Sequence, residues 1–119
     1  MFPWRLMRVH GESMRPALQP HDLLLIGTRS LAGGYVQRGA LVVAQPLALE
    51  GRMVVKRLAG VPHETLEIEG RRWSLAEDQW LLLSDEPSLG VDSRRFGPIS
   101  SEELIGSVCC RVWPLRHSR

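Results

Sequence analysis

A chain of 119 residues, with 44% hydrophobic and 24% charged residues, has the makeup of one globular domain spanning 1–119 rather than of a disordered tract. Such a length buries roughly two-thirds of its unfolded surface without metals or disulfide staples. The net charge of +2 and the scattered basic residues give no case for a nucleic-acid partner, and the longest apolar runs, Leu23 to Ile26 and Leu41 to Ala44, are far short of a membrane span.

In chain order, short apolar or alternating runs sit between glycine and proline turns, which is the punctuation of an all-β, mainly antiparallel domain with few short helical turns. The N-terminus mixes Phe2 and Trp4 with Arg5 and Arg8. It has no continuous apolar core and does not read as a signal peptide, so Phe2 and Trp4 stand as the candidate peripheral membrane contact. Strands are expected at Leu6–His10, Leu23–Gly27, Leu41–Gln45, Met53–Ala59, Thr65–Glu69, Arg72–Leu75, Trp80–Ser84 and Ile105–Trp113. Leu66 and Ile68 alternate with Glu67 and Glu69 before Gly70, which reads as a hairpin turning near Glu69-Gly70-Arg71. Helical turns are expected only at Met14–Leu18 and Ser101–Leu104, and the loop Thr28–Gly39 is the most mobile candidate. Trp4, Trp73, Trp80 and Trp113 are read chiefly as core and hairpin packing. Cys109 and Cys110 point to opposite faces of the last strand, so they cannot chelate one metal, and a disulfide between them would be strained. No metal site and no cofactor are expected.

Of the fifteen basic residues, fourteen are arginine and one is lysine, Lys56. Alternation along Met53–Ala59 sets Val54, Lys56 and Leu58 on one face, so the lone lysine projects from an apolar surface. Desolvation there lowers a lysine pKa and yields a usable base, a change that arginine cannot undergo. Alone, this is equally a strand-end lysine whose stem lies on apolar surface and whose ammonium reaches water. Upstream, Val9-His10-Gly11-Glu12-Ser13-Met14-Arg15-Pro16 ends a strand at a glycine and puts a serine on a turn. That geometry exposes the hydroxyl and frees backbone N–H groups for an oxyanion. Serine in a turn is by itself only a turn residue. His10 is three residues from Ser13 on an extended segment, too far for a hydrogen bond, and no Ser-His-Asp triad is expected.

The pieces Gly11 to Leu18, Asp22, Val54-Val55-Lys56-Arg57-Leu58-Ala59-Gly60 and Asp92-Ser93-Arg94-Arg95-Phe96-Gly97-Pro98 occur in one order. In that order the sequence resembles the signal peptidase I family of serine proteases. Its ending, Gly97-Pro98-Ile99 through Val112-Trp113-Pro114, looks like the mitochondrial inner-membrane peptidases. With no membrane span it also looks like short members such as the nickel-type superoxide dismutase maturation proteases.

The resemblance implies a coiled antiparallel β-sheet and a Ser/Lys dyad, with Ser13 as nucleophile and Lys56 as general base. Ser13 N–H would be one oxyanion donor. Gly11, Glu12, Met14 and Val54 would line the substrate site, while Asp92, Ser93 and Arg94 would form the scaffold beneath it. The substrate would be a precursor protein bound in extended form, cut after a small residue.

Departures from the family pattern put His21, His63 and Ser84 where turn glycines stand. They also put Gly90 where a serine contacts the lysine, and leave Ser88 as the substitute for that contact. These departures keep open a catalytically impaired homologue that only binds extended peptides. A chain complete as it stands would be cytoplasmic; one missing an anchor segment would be membrane-associated.

Overall fold

In a computed structural model of the chain, residues 4–28 and 37–115 are described. Phe2, His117 and most of the loop Thr28–Gly39 lie outside them. Eight strands form: β1 (Trp4–Arg8), β2 (Leu23–Gly27), β3 (Leu41–Ala44), β4 (Val54–Gly60), β5 (Thr65–Ile68), β6 (Arg71–Ser74), β7 (Leu81–Leu83) and β8 (Leu104–Trp113). Six of them make one antiparallel sheet in the order β1-β2-β8-β3-β4-β7, and β5 and β6 make a separate hairpin. The fold is all-β and mainly antiparallel. Helical content among the described residues is one short helix, α1 (Ser93–Phe96), and 3-10 turns at Leu47–Leu49, Pro87–Leu89 and Ser101–Glu103. No helix among the described residues is long and apolar enough to cross a membrane.

The alternation sets the packing. Leu24 and Ile26 of β2 are buried with Val43, Val55 and Met14 on one side of the sheet. Val42 and Ala44 of β3 join Leu58, Leu82 and Leu104 on the other. β3 therefore buries both of its faces, which its unbroken apolar run requires.

The long β8 is shared. Its Ser107 pairs with Gly27 of β2 and with Val42 of β3, and bulges on both sides let the strand bend from one partner to the other. Gly106 sits at the closest approach: a Cβ there would lie 2.5 Å from the Gly27 carbonyl oxygen. This shared, bent strand is the coil of the sheet.

Local chemistry explains the turns. Glu69 and Gly70 both hold positive φ, so β5 and β6 close on a two-residue hairpin turn. His21 and His63 occupy the left-handed region at φ 73° and 72°, whereas Ser84 does not, so two of the three substituted turns keep glycine-like backbone. Ser100 and Glu103 form a reciprocal cap on the turn before β8, the helix start expected there.

β1 begins two residues before the expected strand because Trp4 and Arg5 pair with Gly27 and Ile26. The tryptophans divide: Trp73 is buried and Trp80 partly buried, but Trp4 and Trp113 are 49% and 59% exposed. The packing expectation is corrected for those two, because they project from the outer face of β1 and from the end of β8. α1 was also unforeseen. It starts where the Asp92 carboxylate accepts the backbone N–H of Arg94.

Candidate active site

The site forms where the end of β7 meets β4 beneath the loop that follows β1. Lys56 projects from the middle of β4 on the same side as Leu58 and is only 3% exposed. Arg57 pairs with Leu83 and Leu58 with Leu82, so continuing the register one step sets Lys56 opposite Ser84. The lysine Nζ lies 2.9 Å from Ser84 Oγ and 2.9 Å from Ser13 Oγ. Its hydrogen bonds among the described residues go to these two hydroxyls and to no carboxylate. Burial lowers the Lys56 pKa below the ordinary lysine value, and the charge of Asp92 opposes that shift without cancelling it.

Ser13 is held from behind. Its carbonyl accepts the Glu86 backbone N–H at 2.7 Å, and the neighbouring Met14 thioether accepts that of Asp85 at 3.4 Å. Met14 is buried among Val9, Leu18 and Leu24, so the side chain next to the nucleophile anchors its loop in the core. Gly11 is exposed at φ 83°, and Glu12 is exposed and paired with Arg15. His10 is exposed and lines the groove, with no hydrogen bond to Ser13.

Beneath the lysine lies an ordered acid–arginine unit. The Asp92 carboxylate accepts the Ser84 backbone N–H at 2.7 Å and the Arg94 guanidinium at 2.6 Å. Burial pushes the Asp92 carboxyl up, but Arg94 and the two backbone N–H groups outweigh it and hold the group below the usual carboxylate range. The Arg94 guanidinium is in turn held above its usual value by Asp92. Ser93 is fully buried, its hydroxyl accepting the Leu82 N–H and tying α1 to β7.

Of the residues singled out in the sequence, Gly11, Glu12, Ser13, Val54 and Lys56 line one groove, Met14 walls the small cavity beside Ser13, and Asp92, Ser93 and Arg94 pack behind. Ser88 is exposed on the turn Pro87–Leu89, and the second hydroxyl against Lys56 is that of Ser84. A loop shift that would bring Ser88 inward does not occur. Gly90 occupies that space instead, and a Cβ there would lie 2.3 Å from Ser13 Cβ and 3.2 Å from Lys56 Nζ. Ser84 was missed because it is 28 residues from Lys56 in the chain. The signal that could have found it is the β4–β7 register.

The groove is about 700 Å³ and runs between β1, the start of β4 and the segment Leu89–Val91. Val54 and Val55 pair with β3 on one side, but β7 stops at Leu83, so their other edge has no strand partner among the described residues. A cavity of about 40 Å³ opens beside Ser13, walled by Met7, Val9, Met14, Met53 and Val55.

The family model of signal peptidase, peptidase S26, matches residues 1–75, which include Ser13 and Lys56 but end before Ser84, Gly90 and Asp92. Mitochondrial inner membrane protease subunit 2 of Danio rerio is 28% identical over 115 residues, covering 90% of this chain and 63% of that protein. Subunit 1 of the same protease from Xenopus tropicalis is 26% identical, covering 88% of this chain and 66% of its own length. Signal peptidase I of Leptolyngbya laminosa is 26% identical, covering 90% and 68%. The chain thus spans about two-thirds of the length of these relatives.

Proposed function

Because the chain belongs to the signal peptidase, peptidase S26, family, we propose that it is a serine endopeptidase that processes a protein precursor through a Ser13–Lys56 dyad. The observation that carries this reading is a lysine 3% exposed with its Nζ 2.9 Å from a serine hydroxyl and no carboxylate partner among the described residues. A neutral amine there accepts the Ser13 proton as Oγ attacks the scissile carbonyl. The oxyanion forms against the Ser13 backbone N–H. The resulting ammonium returns its proton to the leaving amine, and the acyl-enzyme remains. Lys56, neutral again, takes a proton from the attacking water and gives it to Ser13 Oγ as the second tetrahedral intermediate collapses, which frees the new carboxyl end and restores the dyad.

The substrate enters extended. The unpartnered β4 edge at Val54–Val55 offers main-chain pairing, and the Met-walled cavity beside Ser13 takes the side chain before the cut. Since a water needs roughly 10–15 Å³ of such space, about 40 Å³ suits a side chain of one to three heavy atoms. That agrees with the small residue implied by the family resemblance. Trp4 and Leu6 lie exposed beside Arg5 and Arg8, which supports a peripheral contact with an anionic bilayer surface. Co-sedimentation with anionic vesicles that survives Trp4→Ser would count against it.

The test is turnover of an extended-peptide library, with Ser13→Ala as control. Cleavage by the wild type and none by the variant is expected. Binding without cleavage would establish the impaired, peptide-binding homologue instead.

A further inference from the structure

Lys56 has more to satisfy than one serine. Its neutral amine carries two N–H donors and one lone pair, and only the lone pair can take the Ser13 proton. A buried N–H without an acceptor is costly, and a freely rotating amine points its lone pair at Ser13 only part of the time. Ser84 Oγ, 2.9 Å from Nζ and buried, is the acceptor that settles this rotation.

Ser84 is itself fixed. Its N–H is bound by Asp92 at 2.7 Å, Asp92 is clamped by Arg94, and the next two residues bind Met14 and Ser13 through their own N–H groups. The segment Ser84–Glu86 thus holds the base and the nucleophile at once.

Gly90 faces the same point from the other side. Its missing Cβ would collide with Ser13 Cβ at 2.3 Å and crowd Ser84 Oγ at 3.1 Å. No side chain fits there while Ser13 and Ser84 keep their positions.

We infer that Ser84 is the positioning residue for Lys56, accepting one Nζ hydrogen so that the lone pair faces Ser13, and that position 90 must lack a side chain for this arrangement to exist. The inference rests on the dyad reading. The other titratable or charged groups around Lys56 are Asp92 behind Ser84, His10 and Glu12 on the nucleophile loop, Arg52 ahead of β4, and Arg5 and Arg8 on β1.

The experiment compares wild type, Ser84→Ala, Ser84→Thr and Gly90→Ala by kcat, KM and the acid limb of the pH–kcat/KM profile. The Lys56 titration is followed by NMR of ¹³C-labelled lysine. Ser84→Ala should lower kcat about 10²-fold with KM within about threefold. Its acid limb should move to lower pH, because the lost acceptor had favoured the ammonium. A base that is neutral more often yet works more slowly marks positioning, which a merely structural role would not produce. Ser84→Thr should stay within about tenfold of wild type. Gly90→Ala should lose kcat about 10²-fold or more while the lysine still titrates in the wild-type range.

A Ser84→Ala enzyme with wild-type kcat and acid limb would overturn the inference, as would Gly90→Ala with wild-type kcat. If Ser84→Ala does not fold, Ser84→Thr losing as much activity as a Ser13 variant would overturn it instead. Should the wild type cleave nothing, the dyad reading fails on its own. The lysine signal then still decides whether Ser84 controls the Lys56 amine: a Ser84→Ala titration unchanged from wild type would overturn that contact too.

Discussion

Lys56 and Arg57 are neighbours on β4, and the two faces of that strand treat their charges in opposite ways. Lys56 is buried between two hydroxyls, and burial drives its pKa down. Arg57, on the other face, reaches the carboxylate of Asp85 at 2.6 Å and the Gly39 carbonyl at 3.1 Å. The acceptors come from neighbours as well: Ser84 serves the lysine and Asp85 serves the arginine. A hydroxyl accepts a hydrogen bond without fixing a charge, whereas a carboxylate locks its partner as a cation. Two consecutive basic residues thus become a titratable group and a permanent ion through the pleat of one strand and the order of two residues on its neighbour.

Removing the titratable group breaks the comparison most completely. Lys56→Arg should cost at least about 10⁴-fold in kcat/KM against a cleaved peptide, since a guanidinium does not deprotonate. Ser13→Ala should do the same, and far-ultraviolet circular dichroism should show both variants folded. If Lys56→Arg retained activity, the lysine would not be the base.

Placing a carboxylate on the lysine's face tests the same contrast from the other partner. Ser84→Asp should raise the Lys56 titration midpoint above that of wild type and reduce kcat/KM at neutral pH by about 10³-fold. Activity should recover in part as pH rises toward the new midpoint.

Asp92→Asn works in both directions. It removes the charge that opposes the lowering of the Lys56 pKa, so the acid limb of the pH profile should move to lower pH. It also takes from Arg94 its buried partner and leaves only the exposed Glu69, at a cost of about 1–3 kcal/mol in denaturant unfolding. In the wild type the Asp92 carboxyl is depressed on folding. Its contribution is therefore complete above the ordinary carboxylate range and is lost as pH falls through the lower folded value. Lys56 gives the same sign at higher pH: its folded pKa is also lowered, so the penalty of burying its ammonium is relieved and stability should rise with pH between that value and the ordinary lysine range.

Smaller effects belong to the outer face. The Arg57–Asp85 pair is partly exposed, so Asp85→Asn should cost no more than about 1 kcal/mol and leave kcat within about threefold. His21→Gly, which relieves a positive φ of 73°, should stabilise the fold by about 0.5–1 kcal/mol after the entropy of glycine is counted.

Most of the fold was legible because burial is periodic. Leu24 with Ile26 and Leu66 with Ile68 alternate as half-buried strands must, and the strands lie within about two residues of where the sequence pattern sets them. β1 began early because Trp4 and Leu6 are apolar on an exposed face, where alternation carries no burial signal. α1 escaped because four residues hold no helical period, only a carboxylate cap.

In the site, the lysine on an apolar strand face and the serine on a glycine turn could be read locally. Ser84 could not, because its meeting with Lys56 depends on which strand pairs with β4 and in what register. Gly90 was legible only as a missing serine; that it is a required void depends on three side chains brought together by the fold.

The lone lysine also makes the central claim directly measurable, since ¹³C-labelled lysine gives one side-chain signal from the whole chain. The account predicts a Lys56 titration midpoint well below the ordinary value of about 10.4, coinciding with the acid limb of the pH–kcat/KM profile. A midpoint at or above that value would contradict a neutral Lys56 as the base.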